Sequence, residues 1–429
     1  MRVVVVVVFV LALLLLLGGV HWYVWKRVVR DTAPPGARGR RIRRTGAAAL
    51  TVLPLLSVTA FLSGRLGFPF WLQQTLAWPG YLWLALLLYL TLALLATEAA
   101  RPFLLRSHRR PRTPASAPAD APVPDATKVP TPITPAAPET PKAPKAPEAP
   151  APPTPPTRRL FVSRTLAATA AVAATGTVAY GTHSVLQGPR TTHVTVPLPH
   201  LPRRAHGFRI AVVSDIHLGP ILGRAHTERI VDAVNAAQPD LIAIVGDMVD
   251  GTVEDLGPAA EPLRRLRAKH GQFFVTGNHE YYAGAAPWLA HIRELGLHPL
   301  ENDRVEIAGF DLAGVNDVGG EAFGQGPDFT KALGDRDRSR ASVLLAHQPV
   351  QIHEAVRHGV GLQLSGHTHG GQLWPGNLIA ALANPTVAGL EKYGDTQLYV
   401  SRGAGAWGPP VRVGARSDIT VVRLASLQA

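Results

Sequence analysis

Long apolar segments dominate the first 106 residues of the chain. Val3 to Val20 is an apolar run, and it is followed by a cluster of aromatic residues and then by Lys26 and Arg27. About 20 apolar residues suffice to cross a hydrocarbon core of roughly 30 Å, and aromatic side chains favour its interface. Two shorter apolar segments come next. We expect a transmembrane region over residues 1–106, with helices at about 3–25, 47–62 and 78–96.

The pattern between residues 107 and 183 indicates two different elements. Residues 107–157 are rich in Pro, Ala and Thr, a composition that cannot bury a core and favours polyproline II, so this segment is predicted to be a linker. Residues 158–183 combine a basic start, Arg158-Arg159, with a moderately apolar run. They are predicted to form a fourth transmembrane helix or a signal anchor, and they also resemble a twin-arginine export signal.

From about residue 190 the pattern is typical of a globular α/β domain. Short apolar runs of strand length, such as Leu241 to Val245, alternate with segments of helical periodicity, such as Ala225 to Ala237. Further strands at 397–401 and 419–424 are expected to complete a second sheet. We therefore expect one domain over residues 190–429, and the alternation indicates a layered α/β fold.

The net charge of +13 is distributed unevenly. Residues 1–189 carry 21 Lys and Arg against 6 Asp and Glu, whereas residues 190–429 carry 22 against 24. The excess positive charge belongs to the half that is predicted to lie in the membrane, so no nucleic acid partner is expected. The chain has no Cys, which excludes disulfides, thiolate metal sites and a Cys nucleophile.

The basic residues also predict an orientation. Arginines are concentrated at 38–44, after the first apolar run, and at 101–112, after the third. Basic loops remain on the cytoplasmic side, which puts the amino terminus outside. If residues 158–183 cross the membrane, the α/β domain is extracytoplasmic. We expect a multi-pass protein of the cell membrane.

Metal-seeking side chains follow five of the predicted strands. A lone His or Asp after a strand is usually a turn residue, but five such coincidences in one chain indicate a shared site. Carboxyl ends of strands are where an α/β sheet places its active site, and neutral imidazole is a common ligand for transition metals. The candidate ligands are Asp215, His217, Asp247, Asn278, His347, His367 and His369.

These motifs resemble those of the calcineurin-like metallophosphoesterase superfamily. The series D-x-H, G-D, G-N-H-E, H and G-H-x-H runs from about Phe208 to Leu424, and no ligand position departs from the pattern. The segments S-D-I-H-L-G, G-N-H-E-Y-Y and S-G-H-T-H-G-G-Q are most similar to those of the membrane-associated bacterial phosphodiesterase branch. The resemblance implies a four-layer α-β-β-α sandwich.

The resemblance also implies a dinuclear metal centre. A mixture of carboxylates and imidazoles suits two divalent ions, Mn, Fe or Zn. Asp247 is the natural bridge. By similarity to the family, Asp215, His217 and His369 complete the first site, and Asn278, His347 and His367 complete the second. A hydroxide that bridges the ions would attack phosphorus in line, and His279 would protonate the leaving oxygen or stabilise the transition state.

Several other polar residues near the motifs have less specific expectations. Asp250 is predicted to support a ligand or to cap a helix rather than to bind a metal. Arg402 and Trp407 are expected to face the pocket. The histidines outside the motifs are expected to be solvated, and they are His226, His270, His291, His298, His353 and His358.

The function expected from this pattern is hydrolysis of a phosphodiester by a membrane-anchored enzyme, acting on a phosphate compound of the cell envelope. The ligands recognise a phosphate group but say little about what carries it. A phosphomonoesterase or a nucleotide pyrophosphohydrolase at the same site therefore remains an alternative. A scaffold that has kept the fold without activity is another, although no ligand position has been lost.

Overall fold

The predicted membrane segments lie on long helices. The computed structural model describes residues 2–106, 157–307 and 309–428. Its first three helices are α1, which continues as a π-helical segment to Arg30, α2 and α3, and they span Arg2–Val24, Gly36–Leu62 and Phe70–Arg106. In the described part of the chain, three segments are long and apolar enough to cross a membrane, namely Leu11–Arg30, Gly36–Leu62 and Phe70–Leu104.

A fourth helix, α4, spans Arg158–Leu186, close to the predicted segment at 158–183. It is not one of the three candidate spans, so its crossing of a membrane stays a prediction. The predicted linker at 107–157 lies outside the described residues except for Thr157. There the Thr157 hydroxyl accepts a hydrogen bond from the backbone N–H of Leu160 and caps the helix.

The four helices form a bundle with two chemically different ends. At one end, Arg158 donates to the carbonyl of Leu104 and Arg164 donates to the carbonyl of Thr32, so α4 begins beside the end of α3. Arg27, which follows α1, and Arg101, near the end of α3, share this end, since both form ion pairs with Glu98. Along the bundle, small residues of α4 such as Ala170 and Ala174 are buried against α3, because they let the helix backbones approach closely.

The other end of the bundle meets the α/β domain. Gly181 of α4 approaches the segment around Arg412 so closely that an added Cβ would lie 2.6 Å from Val411. The backbone N–H of Arg412 donates to the carbonyl of Gly181 at 3.3 Å, and Val411 is buried within the apolar cluster of the bundle. Three residues, 187–189, connect α4 to the first strand. The α/β domain therefore packs directly on the helix bundle.

Two six-stranded sheets form the centre of the α/β domain. The first has the strand order β1-β12-β2-β3-β4-β5 and the second β10-β11-β9-β8-β7-β6. The strands of the first sheet are β1 Arg190–Leu198, β2 Arg209–Val213, β3 Leu241–Val245, β4 Gln272–Val275, β5 His298–Pro299 and β12 Asp418–Ser426. Those of the second are β6 Asp303–Ile307, β7 Phe310–Gly314, β8 Ala341–Leu345, β9 Leu362–Ser365, β10 Gly389–Tyr393 and β11 Thr396–Val400.

The sheets and helices form the four layers that the family resemblance implied. Alternate residues of both sheets, such as Ile210 and Val343, share one buried cluster between the sheets. The outer face of the first sheet packs against helices α5 Arg224–Ala236, α6 Val253–Ala260 and α8 Ala285–Glu294. The outer face of the second packs against α9 Phe329–Leu333 and α10 Ile352–Arg357. Two further helices, α7 Asn278–Ala283 and α11 Gly376–Ala383, lie in loops.

One strand differs from its predicted place. Residues 419–424 were expected in the second sheet, but β12 lies in the first, parallel to β1 and antiparallel to β2. Five successive residues of β12, from Asp418 to Val422, are buried, as expected for a strand covered on both faces. Hydrophobicity along the chain predicts such a strand but does not name its neighbours, and the prediction was wrong on that point.

Candidate metal centre

All the candidate ligands lie at one edge, where the two sheets meet. Parallel strands β2, β3 and β4 are neighbours in the first sheet, and parallel strands β8 and β9 are neighbours in the second. Because the carboxyl ends of parallel neighbours share an edge, the loops that follow these strands converge. The structure therefore brings together residues that are up to 154 positions apart in the chain, from Asp215 to His369.

The first group consists of Asp215, His217 and His369, whose ligand atoms lie within 4.8 Å of one another. Nε2 of His217 lies 3.0 Å from Nε2 of His369, and Nε2 of His369 lies 3.4 Å from an oxygen of Asp215. All three residues are buried. These are the residues that the family resemblance assigned to one ion.

The second group consists of Asp247, His347 and His367. Nε2 of His347 lies 3.1 Å from Oδ2 of Asp247, and Nδ1 of His367 lies 3.1 Å from Oδ1 of Asn278. Oδ2 of Asp247 also lies 3.8 Å from Nε2 of His217 in the first group. Asp247 therefore stands between the two groups, as a bridging carboxylate would.

The donor atoms of this site fit cations. Nδ1 of His347 lies 2.8 Å from the carbonyl of Val245, and since a carbonyl can only accept, Nδ1 carries the proton. Its Nε2 thus presents a lone pair to the Asp247 carboxylate. Two lone pairs at 3.1 Å repel unless a proton or a cation lies between them. Burial lowers the pKa of His347, but the carboxylates of Asp247, Asp215 and Asp317 together raise it well above its usual value, so that a proton on Nε2 takes the place that a cation would hold.

The two histidines of the G-H-T-H motif, His367 and His369, are neutral at neutral pH. Burial and the neighbouring His347 lower the pKa of His367 to about 4. Burial, His217 and Arg412 hold the pKa of His369 well below its usual value. Neutral imidazole is the form that binds a metal, so these pKa shifts favour ligation at neutral pH.

Unusual backbone conformations cluster at this site. Nine residues other than glycine have a positive φ in the described part of the chain, and five of them are candidate ligands, with φ between 48° and 72°. Such conformations cost free energy and persist where the surrounding structure enforces them, which is often at functional sites. The five are Asp215, His217, Asp247, His367 and His369.

His279 lies beside the two groups, and Asp250 holds it there. Nδ1 of His279 and Nδ1 of His217 each lie 2.8 Å from Oδ1 of Asp250, and the backbone N–H of His279 donates to Asp247. Burial lowers the pKa of His279, but its hydrogen bond to Asp250 and the negative charges of Asp250, Asp247 and Glu280 together raise the pKa to about 9. Asp250 thus supports a candidate ligand, the first of the two roles expected of it.

Glu280 is a buried carboxylate whose role the sequence did not indicate. It is 0% exposed, and its two oxygens accept hydrogen bonds from the backbone N–H groups of Asp247, Met248 and Gly277 at 2.6 to 3.0 Å. Burial and the nearby Asp247 raise its pKa to about 7, while the backbone donors oppose this. Glu280 fastens the loop after β3 to the loop after β4. The sequence signal that could have indicated this role is the position of Glu280 directly after His279 in the G-N-H-E motif.

Arg412 was also missed, because it lies far from every motif. Its side chain is buried and donates to the carbonyls of Gly405, His369 and Ala415 and to Nδ1 of His369. Burial lowers its pKa to about 10, so it remains charged at neutral pH. Arg412 therefore links the candidate site to the bundle: its side chain fixes the ring of His369, and its backbone N–H bonds to Gly181 of α4.

Two expectations about other residues need correction. His226 was expected to be solvated, but it is 1% exposed because the first turn of α5 faces the core; burial lowers its pKa to about 3. Arg402 was expected to face the pocket, but it bonds to Asp418 instead. Trp407 does face the pocket, and its ring lies 5.6 Å from that of His279.

A cavity of about 420 Å³ opens above the two groups. His217, Asn278 and His279 lie at its base, and the α/β domain also contributes Tyr282 and Trp407 to its wall. The opposite wall comes from α2, α3 and the turn between them, and it includes Phe61, Arg65, Gln73 and Tyr81. We call the four exposed side chains at the mouth the rim: Phe61, Arg65, Tyr282 and Trp407.

Comparisons with known proteins agree with this geometry. The calcineurin-like phosphoesterase family profile matches residues 208–371. An uncharacterized metallophosphoesterase of Aquifex aeolicus is 34% identical over 240 residues, covering 55% of this chain and 91% of that protein. One from Bacillus subtilis is 30% identical over 288 residues, covering 63% of this chain and 98% of that protein.

A vertebrate relative is similar over a smaller share of its own length. The zebrafish transmembrane protein with metallophosphoesterase domain is 38% identical over 259 residues, covering 57% of this chain and 59% of that protein. The match thus spans about three fifths of that relative. The two bacterial relatives are covered almost throughout, and they confirm the resemblance drawn from the motifs. The chain belongs to the calcineurin-like metallophosphoesterase family.

Proposed function

We propose that this protein is a membrane-anchored phosphodiesterase with two metal ions, acting on a phosphate compound of the cell envelope. The observation that carries the proposal is the position of Asp247 between two groups of ligand atoms. Asp215, His217 and His369 would hold one divalent ion with Asp247, and Asn278, His347 and His367 would hold the other. When bound, the ions would supply Lewis-acid activation of water and of the phosphoryl oxygens.

The side chains around the ions have separate tasks in this proposal. Asp250 fixes the rings of His217 and His279 through hydrogen bonds of 2.8 Å. With its pKa raised to about 9, His279 carries a proton at neutral pH. It lines the cavity, so it can donate that proton to the oxygen of the departing alcohol. His279 is therefore the proposed general acid.

The charges of the cavity favour a diester over a monoester. Arg65 is the one Lys or Arg among the described residues that line it, whereas two carboxylates, Asp250 and Asp255, do so. A phosphomonoester brings about two negative charges near pH 7, and a diester brings one. Apart from the ions, the positive charges of Arg65 and of protonated His279 are matched by these two carboxylates, which leaves no excess positive charge to balance the second. This balance supports a monoanionic substrate.

The helix bundle supports an extracytoplasmic α/β domain. Its basic end, near Arg158, and the end that meets the α/β domain, near Gly181, are opposite ends of α4. Basic residues remain on the cytoplasmic side. With the four helices crossing the membrane, the α/β domain lies outside the cell, in reach of envelope phosphates.

Activity is tested with purified full-length protein and added Mn²⁺, Zn²⁺ or Fe²⁺. We expect hydrolysis of bis(p-nitrophenyl) phosphate to exceed that of p-nitrophenyl phosphate, and EDTA to abolish both. Faster hydrolysis of the monoester would favour a phosphomonoesterase. The absence of turnover with every metal would favour a scaffold instead.

Orientation is tested with single cysteines, because the natural chain has none. Asp395→Cys lies in the exposed β10–β11 turn and Arg38→Cys at the basic end of the bundle. On intact cells, a membrane-impermeant maleimide should label Asp395→Cys at once and Arg38→Cys only after permeabilisation. The reverse pattern would place the α/β domain in the cytoplasm.

A further inference from the structure

The membrane region supplies one wall of the active-site cavity. Phe61 and Arg65 come from the end of α2 and the turn that follows it, and Gln73 and Tyr81 come from α3. Contacts bridge the two parts of the molecule: the ring of Phe61 lies 6.2 Å from Trp407, whose ring lies 5.6 Å from His279. The α/β domain alone would thus have an incomplete site.

The rim combines exposed aromatic surface with one cation. The rings of Phe61, Tyr282 and Trp407 remain 46% to 63% exposed although they surround the cavity. The Arg65 guanidinium lies 5.8 Å from the centre of the Phe61 ring. No carboxylate in the described part of the chain forms an ion pair with it. Apolar rings beside an unpaired cation suit a molecule with an anionic head and an apolar body.

We propose that the substrate is an amphiphile, a lipid whose phosphoester enters the metal centre while its apolar chain lies against the rim and the adjoining membrane helices. This inference rests on the proposed phosphoesterase activity and narrows its substrate class. Arg65 binds the anionic head, and Phe61 contacts the first part of the chain. The lipid reaches the site from the membrane surface that the α2–α3 turn faces.

A second apolar surface lies close to the bundle and to the rim, since Gln372, just before it, donates to the carbonyl of Trp407. Helix α11 has no buried residue and carries no charge, and Leu378, Ile379 and Leu382 are all more than 60% exposed. Just before it, Leu373 packs against the apolar cluster of the bundle, and the N–H of Trp374 donates to the carbonyl of Val413. Apolar surface thus continues from the membrane helices to the α/β domain, which indicates contact with lipid.

A water-soluble substrate accounts for less of this arrangement. Polar envelope polymers need hydrogen-bonding groups at the mouth of a site. A nucleotide can stack its base on one of the rings, but it leaves the exposed apolar surface of α11 uncovered. An amphiphile buries those rings and stays in the membrane throughout. The turn that joins two membrane helices is also the element best placed to receive it.

The test compares lipids with the same heads lacking their chains. Full-length protein in detergent micelles is given phosphatidylglycerol and glycerophosphoglycerol, phosphatidic acid and glycerol 3-phosphate, and farnesyl and isopentenyl phosphate, with bis(p-nitrophenyl) phosphate as reference. We expect at least one lipid to exceed its soluble partner in kcat/KM by about tenfold or more. If the reference is hydrolysed and no lipid is preferred in any pair, this inference is overturned and the proposed function stands. If the reference is not hydrolysed either, the proposed function fails.

Variants of the turn then test the wall itself. Arg65→Gln and Phe61→Ser should lower kcat/KM for the preferred lipid about tenfold more than for the reference, mainly through KM. The matched controls are Arg44→Gln, at the basic end of α2, and Leu66→Ser, exposed on the same turn but outside the cavity. Both controls should change neither rate. Equal losses on lipid and reference in the rim variants would contradict a binding role for the turn.

Discussion

The metal centre and the rim lie within one cavity but are built in opposite ways. The candidate metal centre is mostly buried, its side chains are held by hydrogen bonds to neighbouring side chains and backbone, and five of its residues have a positive φ. The rim is exposed, and half of it comes from the membrane region. A centre that is fixed from all sides can perform one reaction on a phosphate group, whereas an open rim can differ between relatives. In the proposed function, chemistry and substrate choice thus belong to different parts of the chain.

The largest expected effect tests the metal centre. Asp247→Asn removes a charge from the carboxylate that stands between the two ligand groups, so kcat should fall by about 10³-fold or more. The loss should be the same for lipid and soluble substrates, because the centre contacts the phosphate alone. Steady-state kinetics with both kinds of substrate measure it, and Asp232→Asn, on the exposed face of α5, is the control. A loss confined to one substrate would break the separation of metal centre and rim.

A smaller effect on kcat is expected for His279, which lies between the candidate metal centre and the rim. His279→Gln removes the proposed proton donor while keeping a polar side chain, and general acids contribute about 10²- to 10⁴-fold. The loss should reach about 100-fold for an alkyl leaving group, which needs a proton, and stay within a few fold for p-nitrophenolate, which does not. Comparing kcat of the variant for alkyl and p-nitrophenyl diesters shows whether His279 donates this proton. Equal losses on both would show that His279 positions the substrate instead.

The smallest effect concerns stability. Glu280→Gln turns an acceptor oxygen into a donor that faces backbone N–H groups, at a cost of about 1–3 kcal/mol. For a domain of this size, each kcal/mol lowers Tm by about 2–4 °C. At the rim, Tyr282→Ser changes a ring that is 63% exposed and whose ring contact is with the edge of His279, so its Tm should not move. Thermal unfolding of both variants in the same detergent provides the comparison, and a Tyr282→Ser loss as large as that of Glu280→Gln would contradict it.

The sequence predicted which side chains come together at this edge, because the information for it is local. The candidate ligands lie in the loops that directly follow buried strands. Because neighbouring parallel strands end at the same edge of a sheet, these loops lie close together. The layered fold followed from the same alternation. The placement of β12 could not be predicted, because burial on both faces identifies a central strand but not its neighbours.

The remaining features depend on contacts between distant segments. Arg412 reaches His369 across 43 positions, and Phe61 reaches Trp407 across almost the whole chain. In the sequence, Phe61 reads as one more apolar residue of a membrane helix, and Arg412 as one more arginine in a basic protein. Their roles arise when the α/β domain packs on the bundle. A rim assembled from two such regions leaves no signature in either of them.

The short connection between α4 and β1 has a kinetic consequence. Three residues span roughly 10 Å at about 3.5 Å each, so the α/β domain cannot swing away from the end of the helix. Its encounters with substrate would then be confined to two dimensions. Turnover should follow the mole fraction of substrate within a bilayer and fall on dilution with inert phosphatidylcholine, even when the amount per millilitre is unchanged.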